Sequence, residues 1–146
     1  MMDFLVRETR LMVEGQLLFI RFGTCGGLQS SIPAGNVVVA SEGSGFIYRD
    51  PDLVFDEACS FPYKTTSVSP SDTPLSQSLI SSLTEHLGEG RVNGGLNVTA
   101  DSFYSSQGRL DPEFEDRNGG LVERVLEVYP SGGSMEMESF QLLDIL

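Results

Sequence analysis

The chain has 146 residues, enough for one domain, and its 9 Lys and Arg against 21 Asp and Glu give it a formal net charge of −12. A chain of this length buries roughly 68–70% of its unfolded surface on folding, so it can build a core without disulfides or metal. Two separated cysteines, Cys25 and Cys59, and a single histidine, His86, exclude a Cys/His zinc scaffold and a disulfide framework.

The charge pattern also excludes classes of partner. The basic residues are too few and too scattered for a general nucleic-acid binder, which neutralises phosphates with clustered Lys and Arg. Charged side chains recur from Asp3 to Glu14, so the N-terminal stretch is neither a signal peptide nor a membrane span. We therefore expect a cytoplasmic protein that binds neither nucleic acid nor membranes.

The first half of the chain predicts an α/β pattern. A helix is expected over 3–14, because apolar residues recur at helical spacing and a glycine follows. The nearly continuous apolar run 17–22 predicts a strand covered on both faces, and 36–40 predicts a second buried strand. Residues 42–71 are rich in Gly, Pro, Ser and acids, so we expect long loops there, with a short edge strand over 46–48.

The second half predicts further alternation of helices and strands. A helix capped by Asp72 or Thr73 is expected to end at Gly88 and to pack an apolar stripe on a sheet. A strand is expected over 92–100, with a bulge at its glycine pair. The glycosylation sequon at 97–99 lies inside this strand and is discounted for that reason. Two more helices are predicted, over 121–129 and 135–146.

The first candidate binding motif places Arg21 in the predicted strand 17–22, directly before the Gly-rich turn 23–27. Ligands of open α/β sheets bind at the carboxyl ends of strands. The glycines let backbone N–H groups approach an anion, and the Arg21 guanidinium can donate to phosphate oxygens. A tight turn with Arg21 paired to a carboxylate is the alternative. The motif is not a Walker A loop, because Leu28 and Gln29 follow the last glycine.

The second candidate motif covers residues 99–111, after the predicted strand 92–100. Phe103 can stack on a planar ring, and Gln107 with Arg109 can match the donors and acceptors along the edge of a base. The alternative is a polar loop with a buried phenylalanine.

The third candidate motif covers residues 134–139, at the start of the predicted C-terminal helix. On a helix Glu136 and Glu138 would not face one direction, so we do not expect a paired acid/base device. One of these glutamates can accept hydrogen bonds from sugar hydroxyls, and Met137 can pack on a sugar face. The alternative is that both acids interact favourably with the helix dipole.

Taken in chain order, these motifs strongly resemble the nucleoside phosphorylase family, and within it the uridine phosphorylases. The resemblance rests on IRFGTCGG at 20–27, DSFY at 101–104 with QGR at 107–109, and MEMES at 135–139. It implies a three-layer α/β/α sandwich around a mixed, partly barrel-like sheet. It also implies cleavage of uridine by phosphate, to uracil and ribose 1-phosphate, in pyrimidine salvage. Phosphate is then a co-substrate, and no metal or organic cofactor is implied.

The resemblance assigns roles by position. The family's phosphate-binding residues correspond to Arg21 and Thr24. Its residues around the base correspond to Cys25, Gly26, Phe103, Gln107 and Arg109. Its ribose-binding segment corresponds to Glu136, Met137 and Glu138. Arg21 and Arg109 would take part in catalysis, and the Gln107/Arg109 pair indicates a pyrimidine, since purine phosphorylases of this fold place an Asp beside the base.

The chain also departs from the family, whose members are longer at both ends. We therefore expect residues 1–146 to form a partial nucleoside phosphorylase domain with an incomplete sandwich, and to show little activity alone. The resemblance implies a homo-oligomer for a complete chain. The alternatives are a non-catalytic remnant that binds a nucleobase or co-assembles with a complete paralogue, and an acidic interaction protein that carries the motifs as relics.

Overall fold

The computed structural model describes residues 2–146, which alternate between helices and short strands. The helices are α1 (Met2–Met12), α2 (Pro51–Val54), α3 (Thr73–Leu87), α4 (Leu121–Val128) and α5 (Ser139–Ile145), with one 3-10 turn at Ser105–Gln107. The strands are β1 (Gly26–Gly27), β2 (Val37–Val39), β3 (Ser44–Arg49), β4 (Tyr63–Thr65), β5 (Val92–Gly94), β6 (Leu96–Ala100) and β7 (Gly132–Glu136).

The central sheet is mixed and has five strands in the order β1-β7-β6-β3-β4. Strands β7, β6 and β3 are parallel, whereas β1 and β4 run antiparallel to their neighbours at the two edges. Thr99 of β6 is in register with Phe46 of β3 and with Glu136 of β7. The carboxyl ends of the three parallel strands therefore lie together, where open α/β sheets bind ligands.

Helices cover both faces of this sheet, as the three-layer expectation requires. Neighbouring residues of a strand point to opposite faces. On β3, a Cβ at Gly45 would overlap the ring of Tyr129, which follows α4. The next residue, Phe46, stacks on Phe140 of α5, with ring centroids 5.3 Å apart. Helix α4 therefore packs on one face and α5 on the other.

The two faces of the sheet differ in polarity. The face toward α4 carries the apolar core, which contains Ile47, Val98, Ala100, Leu121, Val125, Tyr129 and Met135. The face toward α5 carries buried polar side chains at alternate positions, namely Ser44, Asn97, Thr99, Ser134 and Glu136. Burial of polar groups is unfavourable unless each of them is hydrogen-bonded. The polar face therefore requires a connected network, which is described below.

A second, two-stranded parallel sheet pairs Val37 of β2 with Val92 of β5. Helix α3 packs on this pair of strands, which confirms the predicted helix and its sheet-facing side. The Asp72 carboxylate caps α3 by accepting from the Leu75 backbone N–H at 2.7 Å, and Gly88 follows the last turn. The predicted strand at 36–40 is confirmed as β2, although its residues are half-buried and not fully buried as expected.

The predicted buried strand over 17–22 is wrong. The segment lies outside every strand of residues 2–146, and Leu18, Ile20 and Phe22 are exposed, Phe22 to 89%. Apolar sequence alone predicted a central strand, but a strand also needs partners for its backbone groups. Between residues 2 and 146 the segment 17–22 has no backbone–backbone hydrogen bond.

Three other element predictions also need correction. The predicted edge strand within 42–71 is a central strand, because β3 lies between β6 and β4. The predicted strand 92–100 is broken at Gly95, so β5 and β6 belong to different sheets. The predicted helix 135–146 begins as strand β7, and its helical part is α5. In each case sheet pairing outweighed the local pattern.

The predicted N-terminal and penultimate helices are confirmed as α1 and α4. Helix α1 begins one residue before Asp3, which lies in its first turn. The Asp3 carboxylate accepts from Arg7 at 2.8 Å. None of the helices in the described part of the chain combines the length and the apolar character that a membrane span requires.

Candidate functional site

The short strand β1 brings the first and third sequence motifs together. Gly26 is in register with Met135 of β7, and Gly27 with Ser134. The Leu28 backbone N–H continues the contact by donating to the Gly133 carbonyl at 3.2 Å. The Gly-rich turn therefore lies beside the end of β7, although the two segments are far apart in the chain.

Glu136 ends β7 as a buried carboxylate, 5% exposed. Its Oε1 accepts from Asn97 Nδ2 and from Thr99 Oγ1, both at 2.7 Å. Its Oε2 accepts from the backbone N–H groups of Glu138 at 2.9 Å and Ser139 at 3.0 Å. Every partner of this carboxylate is a donor, so the site is built for its ionised form.

The pKa of Glu136 follows from this geometry. Burial alone would raise the pKa, because it penalises the charged form. The hydrogen bonds from Thr99, Asn97 and the Glu138 backbone, together with the nearby Arg21 guanidinium, outweigh burial and lower the pKa below its usual value of 4.5. Glu136 is therefore a carboxylate at neutral pH.

Arg21 binds two carboxylates at once. Its Nη1 lies 3.1 Å from Glu136 Oε2, and its Nη2 donates to Glu138 Oε2. The expectation that Glu136 and Glu138 would not face one direction is wrong, because Glu136 ends a strand and both acids reach the same guanidinium. The alternative assignment of Arg21, pairing with a carboxylate, describes its contacts in this structure.

The two carboxylates differ in accessibility. The Glu136 side chain is 4% exposed and is saturated by donors, whereas the Glu138 side chain is 39% exposed. Glu138 therefore offers oxygens to a ligand and Glu136 does not. The alternative that both acids interact with a helix N-terminus holds for Glu136, which accepts from the backbone N–H of Ser139, the first residue of α5, whereas the Glu138 side chain makes no cap hydrogen bond to α5.

The other residues of the first and third motifs lie around this ion-pair cluster. Thr24, Cys25 and Gly26 are exposed, and Met137 is half-buried beside Glu138. Partial desolvation and the nearby Glu136 carboxylate raise the pKa of the Cys25 thiol, although Arg21 acts in the opposite direction. Cys25 is therefore a neutral thiol at neutral pH, suited to lining a pocket and not to nucleophilic attack.

The second motif folds as a loop after β6, and its three candidate residues contact one another. The Arg109 guanidinium lies over the Phe103 ring, with its carbon 4.0 Å from the ring centroid. Arg109 also donates to the Phe103 carbonyl at 3.0 Å and lies 3.5 Å from Gln107 Oε1. Phe103 is 49% exposed, so the alternative of a buried phenylalanine is wrong.

This loop begins at the same end of the sheet as the ion-pair cluster. Thr99 is in register with Glu136, and the chain leaves β6 one residue later, after Ala100. The parallel arrangement of β6 and β7 thus brings all three motifs to the carboxyl ends of two adjacent strands. An anion at Arg21, a hydroxyl group at Glu138 and a planar ring at Phe103 are the ligand groups that these side chains can bind.

The sequence analysis gave no role to the polar side chains beneath the site, Ser44, Asn97 and Thr99, although Thr99 opens the second motif. Each is buried, and Asn97 and Thr99 bind Glu136 directly. A signal was present, because polar residues at alternate positions in the otherwise apolar 96–100 indicate one polar face of a buried strand. Among residues 2–146, no three His, Cys, Asp or Glu side chains group so as to hold a metal ion.

Two comparisons with known proteins, by family model and by solved structure, agree on the family. A family model described as Phosphorylase superfamily matches residues 1–144. A structure reported for uridine phosphorylases of the oomycete Phytophthora capsici superposes with a TM-score of 0.91 and is 43% identical, over 99% of this chain and 54% of that chain. No curated protein sequence matches.

A more distant solved structure shares the fold. It is a putative methylthioadenosine nucleosidase from Weissella paramesenteroides, with a TM-score of 0.51 and 26% identity over 84% of this chain and 46% of that chain. The chain thus spans about half the length of each of these two structures.

Proposed function

Because the chain belongs to the phosphorylase superfamily, we propose that it carries the nucleoside site of a uridine phosphorylase. The reaction transfers the ribosyl group of uridine from uracil to inorganic phosphate and yields ribose 1-phosphate. The solved relative with 43% identity is a uridine phosphorylase, and its fold agrees with that of this chain over 99% of the residues. The proposal includes no metal and no organic cofactor, since phosphate itself is the nucleophile.

One observation carries this proposal. A cation, Arg21, and a partly exposed carboxylate, Glu138, lie together at the end of β7, and the aromatic loop of Phe103 leaves the adjacent strand β6 at the same end. A nucleoside plus phosphate needs these three groups: a donor for the anion, an acceptor for sugar hydroxyls, and a flat apolar surface for the base.

On this proposal Arg21, with the Thr24 hydroxyl, binds phosphate on one side of the ribose. Glu138 accepts from the ribose hydroxyls, and Met137 packs on the sugar. Cys25 and Gly26 line the pocket without adding charge. Glu136 serves by holding Arg21 and the backbone of the ribose segment in place, because its own oxygens are already occupied by donors.

The base is proposed to stack on Phe103, with Gln107 and Arg109 along its polar edge. Breaking the glycosidic bond leaves positive charge on the ribose and negative charge on the departing uracil. A hydrogen bond from Arg109 to a uracil oxygen would become stronger as negative charge develops on the uracil. This hydrogen bond would therefore lower the activation barrier in addition to tightening the binding of uridine.

Calorimetry with uridine, inosine and phosphate tests the base assignment. Uridine should bind more tightly than inosine, and Arg109→Ala should weaken uridine binding by about 1–3 kcal/mol, because a polar edge of the base loses its partner. Arg10→Ala, which removes an exposed arginine of α1, is the matched control. Equal affinity for uridine and inosine would contradict a pyrimidine site.

Chromatography of the products tests the reaction. Purified chain incubated with uridine should release uracil only when phosphate is present, and Arg21→Ala should abolish the release. Release of uracil without phosphate would instead indicate a nucleosidase, the activity named for the more distant relative. The rate is expected to be low for this chain alone, because Arg21 is engaged by two carboxylates.

A non-catalytic, co-assembling protein is the second candidate function. The exposed apolar face of Leu18, Ile20 and Phe22 favours it, since such a face is suited to pairing with another polypeptide. Retained uridine binding without uracil release, together with a stable complex with a full-length phosphorylase, would support this candidate. We further propose a cytoplasmic location, a partial nucleoside phosphorylase domain over residues 1–146 and, for a complete chain, a homo-oligomer.

A further inference from the structure

The polar face of the central sheet forms a continuous hydrogen-bond network under the candidate site. Asn97 Nδ2 donates to Ser44 Oγ at 2.8 Å and to Glu136 Oε1 at 2.7 Å, and Asn97 Oδ1 accepts from Ser134 Oγ at 2.9 Å. Thr99, with no exposed surface, lies at the centre of this network. Each polar side chain of this network is hydrogen-bonded to at least one other member.

The proton of Thr99 can be assigned from its partners. An ionised carboxylate only accepts, so Thr99 Oγ1 must donate to Glu136 Oε1, at 2.7 Å. The same oxygen then accepts from the Phe140 backbone N–H at 2.8 Å and lies 3.1 Å from Ser44 Oγ. Thr99 is therefore hydrogen-bonded to both ends of the segment 136–140, and Glu138 lies between these two ends.

We propose that Thr99 is a positioning residue, which fixes the segment carrying Glu138 and thereby sets where Glu138 and Arg21 meet a ligand. This proposal rests on the proposed function, in which Arg21 binds phosphate and Glu138 binds ribose. Within residues 2–146, the side-chain hydrogen bonds of Thr99 go to Ser44, Asn97, Glu136 and Phe140, and none goes to Arg21 or Glu138. It acts through Glu136 and through the first turn of α5.

The charged and titratable groups that face Glu136 are Arg21, Glu138 and Cys25. Arg21 favours the ionised form of Glu136, and Glu138 opposes it. Loss of the Thr99 hydroxyl would remove one donor from Oε1 and leave these neighbours in place. The Glu136 titration is therefore a local readout of the proposed role, which general destabilisation of the fold would not produce.

Thr99→Val removes the hydroxyl and keeps the shape of the side chain. Carboxyl ¹³C NMR should show the Glu136 titration midpoint raised by about one pH unit, since a charge-assisted hydrogen bond is lost. Calorimetry should show uridine binding weakened about tenfold, as the Glu138 segment loses its anchor. Thr99→Ser should restore both values, and Thr65→Val, at an exposed position on β4, should change neither.

If the titration midpoint of Glu136 is the same in Thr99→Val as in wild type, the positioning role is overturned. The role is also overturned if the midpoint rises but the affinity for uridine does not change. If the wild-type chain binds neither uridine nor phosphate, the proposed function fails, and the Glu136 titration alone decides whether Thr99 positions this carboxylate. If Thr99→Val does not fold, Thr99→Cys takes its place. Its thiol is a weak donor, so it should give a smaller rise in the midpoint.

Discussion

At the scale of single residues, the site is dominated by competition for Arg21. Its guanidinium already interacts with Glu136 and Glu138. A phosphate ion that binds Arg21 must displace Glu138 or accept its repulsion, because Glu136 is buried and held by its own donors. The same displacement would free Glu138 for sugar hydroxyls, so the occupancy of the phosphate and ribose positions should be coupled.

Glu138→Gln should therefore have opposite effects on the two ligands. Removal of one negative charge beside Arg21 should tighten phosphate binding by about 1 kcal/mol, the scale of a partly exposed ion pair. Loss of the carboxylate acceptor should weaken uridine binding. Both affinities can be measured by calorimetry at low ionic strength, with Glu85→Gln on the exposed side of α3 as the control. Equal phosphate affinity in wild type and Glu138→Gln would contradict a competition for Arg21.

The buried carboxylate of Glu136 should make the stability of the fold depend on pH. Its pKa is lowered on folding, so its contribution is present above its usual pKa of 4.5 and is lost as the pH falls below that value. Urea denaturation from about pH 3 to about pH 7 measures the effect. The free energy of unfolding should fall more steeply on acidification in wild type than in Glu136→Gln.

Asp50 provides the internal reference for this experiment. Its pKa is also lowered, chiefly by the hydrogen bond with Lys64, so it titrates in both proteins and its effect cancels in the comparison. Parallel pH profiles for wild type and Glu136→Gln would mean that the Glu136 network does not favour the ionised form.

At the scale of elements, β3 is the strand on which the two layers of helices depend. Its residues alternate between the apolar face and the polar face, with Gly45 under the Tyr129 ring and Phe46 against Phe140. The Tyr129 hydroxyl also donates to the Thr66 carbonyl at 2.6 Å, which fixes the ring over the glycine. A side chain at position 45 would force this ring to move.

Gly45→Ala should accordingly destabilise the chain by about 1–3 kcal/mol, the usual effect of overpacking a filled core. Gly119→Ala is the matched control, because a Cβ at Gly119 meets no atom within 4 Å. Chemical denaturation of both variants measures the difference in the free energy of unfolding. If the two substitutions were equally well tolerated, the close packing of α4 on β3 would be in doubt.

At the scale of the whole molecule, a strongly acidic chain exposes an apolar face. The formal net charge of −12 favours solubility, but Leu18, Ile20 and Phe22 lie at alternate positions of the segment 17–22 and are all exposed. Extended apolar segments with unpaired backbone groups associate with other chains. The two properties therefore act in opposite directions on self-association.

Ile20→Lys should reduce concentration-dependent self-association, because it places a charge in the middle of this apolar face. Sedimentation velocity over a range of concentrations measures the effect. Leu87→Lys, at the exposed end of α3, changes the net charge equally but lies on another element. If both variants reduced association to the same degree, net charge would be responsible and the segment would not.

Three helices, the strand β2 and the family could be predicted from local sequence. Helices α1, α3 and α4 follow from apolar spacing and, for α3, from the Asp72 cap and Gly88. The family follows from three short motifs, which the match over residues 1–144 bears out. These features depend on neighbours along the chain, or on short strings of residues, so the sequence alone suffices to determine them.

Only the tertiary structure decided what depends on partners distant in the chain. Strand β3 is central and the segment 17–22 is unpaired because pairing is set by the neighbouring strands, which apolar content does not specify. Glu136 and Glu138 converge on Arg21 because β1 pairs with β7 and because Glu136 ends a strand. The ionisation of Glu136 depends on donors from β6 and from the start of α5, which only folding brings to its two oxygens.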